Sequence, residues 1–570
     1  MFLRLIWRKE ETRMKQMEIL RCAAFCFLLV LFIVPCVSAG IEDMEIIKYN
    51  FDVDAGPRSQ WYPWVDHNPV DNEFMVTWRT SGRLRNDCEE GDDYECSNSF
   101  HIIHGQRVSP DGALQGGILQ WSEPVIGWAQ IPRIDHNLFT NEYLLAYTYG
   151  SEATDGWNAG CETYIARTDN VGTLQNGPYR LYEKGEDGNA LLPVVIFNPQ
   201  EREYLMVVTD RDVFNDYSNN VGYIIGEDGN PVTGPLEVGS QAGDTWAPLG
   251  VYNPTNNTYF VVWEDFRHTN DWVLPAEVYG AVIDAEGNMT KEIVIMDDFG
   301  MEDAGDQRVP NVAYNPDKDE FFVVWEVKKL SLDEEGIIGS GIRGRFISSD
   351  GTIKGEAFTV VDAPRIQHWP SIVYVQEEKK YFMSWTDTRD DGLPPGNPWY
   401  FSEKMDIYAG WFDDTGVLVG DEIALCDCEG NQTSGVVAYN PVMKRFLVTW
   451  YDRNAPDDWS IVNPNPEDPF GEIPSDVRAT IYGAPSFLSG QVVEKGTGNP
   501  VENALVFVIG PSLPVLEQTN VGGWFNIEKR SHLSGIYLVM AFKFGYLVTF
   551  EIVNYTGEPR EVTIEMNKLW

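Results

Sequence analysis

The stretch Tyr252-Asn253-Pro254-Thr255-Asn256-Asn257-Thr258-Tyr259-Phe260-Val261-Val262-Trp263 decides the architecture, because it returns as Tyr314-Asn315-Pro316 followed by Phe321-Phe322-Val323-Val324-Trp325. The same pattern begins at Asn68, Asn137, Asn198 and Asn440, and in weaker form at Val375. Successive anchors lie 69, 61, 55, 62, 60 and 65 residues apart. Ten residues beyond them stand Trp78, Tyr147, Val208, Trp263, Trp325, Trp385 and Trp450. Seven matches at one offset define a repeat, and units that cannot bury an apolar face alone must stack on their neighbours.

Each unit reads as four strands of alternating apolar and polar residues. In the fifth these are Val309–Tyr314, Glu320–Glu326, Gly341–Ile347 and Ala357–Val361, with Asn315-Pro316 and Asp350-Gly351 turning hairpins. Five residues before the anchors lie Pro63, Pro132, Pro193, Pro248, Pro310 and Pro370, with Gly435 in the seventh unit. Proline cannot donate to a ladder, so it belongs at the start of a strand or on an edge, here the strand bordering a central channel. The fold class this predicts is all-β, a seven-bladed β-propeller followed by a small β-sandwich. The seventh unit has no fourth strand after its third, near Thr480–Gly483, whereas Glu45–Val53 is a strand without a unit of its own. The N-terminal strand is therefore expected to complete the last blade and latch the ring.

At 570 residues the chain exceeds one ordinary core. The expected divisions are a signal peptide over 1–39, a propeller over 40–485 and a sandwich over 486–570. The signal reading rests on the apolar run Cys22 to Val37, with cleavage after Ala39 in Val37-Ser38-Ala39-Gly40. The leader is long, and Met14 or Met17 would make a more ordinary start. The run is short of the ~20 residues a membrane span needs, and no other stretch could cross, so the mature chain is expected to have no span and to be secreted or held at the cell surface. The full chain's 87 acidic residues against 42 basic ones give a formal net charge of −45, which repels nucleic acid and anionic lipid. Such a surface suits cations, neutral glycans or basic partners, and it also keeps an exported protein soluble.

Five cysteines follow the leader. Cys88 and Cys96 bracket an acidic loop and are expected to form a disulfide, while Cys161, Cys426 and Cys428 receive no assignment. Sequons begin at Asn256, Asn288, Asn431 and Asn554.

From Phe487 the pattern changes. Gly490-Gln491-Val492-Val493, Thr497-Gly498-Asn499-Pro500-Val501, Ala504-Leu505-Val506-Phe507-Val508, Asn520-Val521-Gly522-Gly523-Trp524-Phe525 and Phe544-Gly545-Tyr546 mark short strands and glycine turns. This segment resembles the carboxypeptidase regulatory-like family, a transthyretin-like β-sandwich. The resemblance implies an accessory module with no catalytic residues of its own. The repeat is similar to those of secreted bacterial and archaeal proteins, a likeness that implies a fold and a compartment but no activity.

The constellation with most chemistry lies twelve residues past the anchor, where units three, four, six and seven carry Asp210, Asp265, Asp387 and Asp452. Arg211, Arg267, Arg389 and Arg453 follow one or two residues later. These pairs end second strands, so in a propeller they gather on the face that holds the connections between blades. One reading is structural, with Asp and Arg of adjacent blades stapling the loops. The other is a site for a sugar or a cation, with Trp246 and Trp369, and also Trp61, Trp64 and Trp128, as stacking surfaces. No metal-ligand spacing, nucleophile motif or phosphate loop is present. The oxygen-rich loops Glu89–Asp93 and Asp390–Gly392 suit calcium, without following the EF-hand pattern, and no other cofactor is expected. The preferred reading is a non-catalytic extracellular binding or scaffold protein that recognises glycan or protein through this face. The alternatives are a carbohydrate-active hydrolase or lyase using the same aspartates, and a structural component of a cell surface.

Overall fold

The anchor asparagine explains why each repeat turns where it does. In the computed structural model, which describes residues 41–569 except 57–58, 84–98, 124, 127–128, 151–160, 183–187, 213–216, 241–243, 269–274, 298–304, 330–339, 390–403, 429, 454–474, 513 and 530–531, the six anchor asparagines are fully buried. Asn253 Oδ1 accepts the backbone N–H groups of Thr255 (2.9 Å) and Asn256 (3.3 Å), and the other five asparagines bind the turn in the same way. Val375 cannot do this, and its turn closes instead on Lys379 N–H to Gln376 O at 3.2 Å. Four residues beyond each anchor the chain is left-handed, with φ between 50° and 61°. Where that residue is asparagine, the previous blade's anchor amide reaches it: Asn68 to Asn141 (3.0 Å), Asn198 to Asn257 (2.9 Å) and Asn440 to Asn72 (2.9 Å). The hairpins on the outer side turn on left-handed glycines such as Gly287 (φ 87°) and Gly351 (φ 76°).

Among the described residues the repeat forms seven four-stranded antiparallel sheets, the first carrying a short extra strand, Val125–Ile126. Their inner strands are Ser59–Asn68, Ala129–Asn137, Gly188–Asn198, Thr245–Asn253, Gly305–Asn315, Gln367–Val375 and Asn431–Asn440. Each inner strand packs against the next, and the seventh against the first, so they form a ring around an axis. Glu45–Asp54 pairs antiparallel with Ser475–Gly483 and supplies the fourth strand of the seventh sheet, burying Phe51 and Val53. Trp78, Trp263, Trp325, Trp385 and Trp450 are completely buried between sheets.

The prolines lie inside the inner strands, not at their starts. Every inner strand slips register just before the proline or Gly435. At each slip the residue ahead of it (Tyr62, Ile131, Leu192, Ala247, Val309, Trp369 or Ser434) is left-handed, with φ of 48–59°. This is a β-bulge repeated in all seven blades, and it explains why the fifth inner strand begins at Gly305, four residues ahead of the expected Val309. The strand edge facing the axis leaves backbone N–H groups without ladder partners, and the preceding blade satisfies several of them. Thr148 Oγ1 accepts Leu192 N–H (3.2 Å), Glu264 Oε1 accepts Val309 N–H (2.8 Å) and Thr386 Oγ1 accepts Ser434 N–H (3.1 Å).

The chain divides into two compact units, Met44–Ala484 and one containing Pro485–Trp570. The second is a sandwich of a three-stranded and a four-stranded sheet. In the smaller sheet Ser486–Glu494 lies between Trp524–Glu528 and Arg560–Met566, parallel to the latter. Phe487, Leu488, Val506, Tyr537, Val539 and Ile564 fill its core. Among the described residues no helix is long and apolar enough to cross a membrane.

Candidate functional site

The recurring Asp/Arg pair starts from a buried indole. Trp263 is fully buried, and its N–H needs an acceptor. Side chains two apart on a strand share a face, and Trp263 Nε1 donates to Asp265 Oδ2 at 2.9 Å. Arg267 then closes on the same carboxylate with Nε at 2.7 Å and Nη2 at 2.6 Å, lies 3.9 Å over Tyr279 and reaches Glu292 at 2.9 Å. Burial works against its charge, but the two carboxylates outweigh that and raise its pKa. Blade six repeats the arrangement: Trp385 to Asp387 at 3.0 Å, Arg389 to Asp387 and to Glu422, and Arg389 over Tyr408 at 4.2 Å. Blade one substitutes Thr80, which accepts from Trp78 at 3.1 Å. In blade five Val327 cannot accept, and Gln307 Oε1 takes the Trp325 proton at 2.7 Å.

These pairs are formed within one blade, not between neighbours, and both aspartates are spent on the indole and the guanidinium. Asp452 differs. It accepts from Gln432 (3.2 Å), lies 3.4 Å from Arg478, and burial raises its pKa. Asp210 and Arg211 are half-buried at the end of the third blade's second strand. Trp246 is half-buried opposite Glu264, and Trp369 occupies the left-handed position of its bulge, stacked on His368 at 4.3 Å.

What the structure does bring together lies where blades seven and one meet at the start of the inner strands. Trp61 stands 5.0 Å from Tyr451, and Tyr62 stands 6.1 Å from it. Arg453 lies 4.9 Å over Trp61, and Arg79 lies 5.4 Å over Tyr62. Trp61 and Tyr62 are half-buried, leaving ring surface open to solvent. Further along the inner strands Arg133 crosses the ring of Trp64 at 4.1 Å. Asp66 and Asp135, two residues before their anchors, bind backbone N–H groups, including Phe197 N–H to Asp135 at 2.6 Å. Burial, and for Asp66 the neighbouring Asp135, push both carboxyls above the ordinary range.

Blades four and five present acids instead. Arg308 bridges Glu264 (3.0 Å) and Asp306 (2.8 Å). Glu326 is 1% exposed, its Oε1 has no hydrogen-bond partner, and burial lifts its pKa to about 7. The sequence pattern marked Trp61, Trp64, Trp246 and Trp369. It did not mark Tyr62, Tyr451, Arg79 or Arg133, whose only signal is that they break the repeat at positions other blades fill differently, nor Glu326, which shares its position with Glu264 of the preceding blade.

Cys426 and Cys428 form a disulfide at the end of an outer strand, and Asn50 Nδ2 reaches Cys428 Sγ at 3.1 Å from the latch strand. Cys161 is buried, and burial pushes its thiol up to about 11. Cys88, Cys96, Trp128 and the loops Glu89–Asp93 and Asp390–Gly392 lie outside the described residues, as does the leader. Among the described residues no three His, Cys, Asp or Glu side chains gather as a metal site.

No protein-family model and no curated protein sequence matches the chain. Among solved structures it is similar to a protein of unknown function from Dyadobacter fermentans, with 13% identity, 78% of this chain and 100% of that one covered, and a TM-score of 0.44. An α-L-arabinanase of Penicillium chrysogenum shares 14% identity over 61% of this chain and 92% of that one, at a TM-score of 0.40. The phage phi92 endosialidase shares 11% over 78% and 70%, also at 0.40.

Proposed function

We propose that this chain is an exported carbohydrate-binding protein that takes up glycan at the channel mouth between blades seven, one and two. The aromatic cluster of Trp61, Tyr62 and Tyr451 crossed by Arg79 and Arg453 carries this reading. At the second-strand position of Arg79 and Tyr451, the other blades place Thr148, Thr209, Glu264, Glu326 and Thr386. Three of these satisfy the next blade's bulge N–H. A small acceptor is all the fold asks for there, so large rings and guanidinium groups answer to something else. Half-buried aromatic faces with a few fixed polar groups suit a sugar ring.

Residues 40–570 incubated with a glycan microarray, and with the best binders in a thermal-shift titration, test this. The expected result is saturable binding that raises the melting temperature, about 2.7 kcal/mol of added stability at a hundredfold excess over Kd. Retention of no glycan would overturn the reading. An EDTA arm shows whether calcium takes part.

Glu326 favours a second reading, a carbohydrate-active hydrolase. A carboxyl that keeps its proton near neutral pH can serve as a general acid. Release of shorter oligosaccharides by the wild type and not by Glu326→Gln would support it; intact glycan after prolonged incubation would exclude it.

A further inference from the structure

Arg133 is an uncompensated cation inside an acidic protein. No carboxylate among the described residues lies within ion-pair distance of it, although ten other arginines, among them Arg107, Arg267, Arg308 and Arg445, have one. Its contacts are Pro132 O, 3.2 Å from Nη1, and the face of Trp64. Nε is shut off from solvent without an acceptor. Burial pulls its pKa down to about 9. Arg133 is half-buried, so its charge gives up part of its hydration without gaining a partner, and a chain of net charge −45 has many carboxylates that could have been placed beside it. The free edge of a guanidinium presents parallel N–H donors that match a carboxylate or sulfate in two-point geometry.

We propose that Arg133 holds the anionic substituent, carboxylate or sulfate, of an acidic saccharide whose ring lies against Trp64. This rests on the glycan reading above and narrows it from any sugar to a charged one. Arg79 and Arg453 add positive potential at the same side of the mouth, whereas on blades four and five Arg308 and Lys328 are already paired with Glu264, Asp306 and Glu326. The ligand is thereby oriented as well as held.

The test is titration calorimetry of residues 40–570 at fixed ionic strength with oligogalacturonate, a sulfated oligosaccharide and a neutral galacto-oligosaccharide, repeated with Arg133→Gln and Arg133→Lys. The wild type is expected to prefer one of the charged ligands, with affinity falling as salt rises. Arg133→Gln should weaken that ligand roughly 10- to 100-fold and leave the neutral one unchanged. The carboxylate and sulfate arms tell the two anions apart. Arg133→Lys keeps the charge without the fork and should fall between, which preserves the test if Arg133→Gln does not fold. Equal binding of neutral and charged ligands would overturn this inference and leave the glycan reading standing. Binding of no saccharide would overturn both.

Discussion

In blades four and six a buried indole dictates the residue two positions on. Asp265 accepts from Trp263, and Arg267 then neutralises an aspartate that has no exposure of its own. Asp265→Ala should therefore cost about 3 kcal/mol, because it strands a buried N–H and a guanidinium together. Chemical denaturation measures this, and the Asp265→Ala/Arg267→Ala double variant should lose clearly less than the sum of the single ones. An additive result would mean that the two side chains do not act as one unit. The Asp/Arg pattern was visible in the sequence, but its meaning was not. A +12 aspartate reads identically whether its carboxylate faces solvent or an indole two residues back. Thr80 and Gln307 fill the same need with other side chains and so disguised it. Arg133 was illegible for a different reason: its isolation is a property of what surrounds it in space.

The hairpins and bulges show the same division among the elements. Anchor asparagines announce turns, and the structure adds that each one holds two backbone N–H groups. Asn253→Ala should cost about 1–2 kcal/mol, read as a lower denaturation midpoint. A neutral outcome would mean that the turn closes without that side chain. The bulge was half legible. Proline signalled a break in the ladder, but nothing in Ile131, Leu192 or Val309 advertises a left-handed backbone, which bulky and branched residues rarely adopt. Those residues are left-handed because the ring repeats one geometry seven times. The latch strand was legible because the seventh unit lacked a fourth strand of its own.

For the whole molecule, the latch and the buried acids set the stability. Deleting residues 44–54 removes the strand that buries Phe51 and Val53, a loss of ~5 kcal/mol from those two side chains. That corresponds to a melting temperature lower by roughly 5 °C; an unchanged value would show that the ring closes without it. Acidity works in an unusual direction here. Burial raises Glu73 and Glu326 to about 7, so the folded protein keeps protons that the unfolded chain has released above its ordinary carboxyl range. Their contribution, on the order of 3 kcal/mol each, is complete at acid pH and is lost as pH rises through 7. His67, His136 and His368, which burial holds at about 3 to 4, oppose this below their ordinary range near 6.5, so denaturation midpoints should fall between pH 6.5 and pH 8, and a midpoint that climbs over that interval would contradict this. The central claim is that ligand meets the aromatic and arginine side of the mouth, while the Asp/Arg pairs of blades four and six each brace the blade that carries them. It is tested most directly by measuring glycan affinity for Trp61→Ala and Asp265→Asn side by side, each checked for native folding. Trp61→Ala should abolish binding while Asp265→Asn binds like the wild type at lower stability. Loss of binding in Asp265→Asn with Trp61→Ala unaffected would return the site to the aspartates and contradict the account.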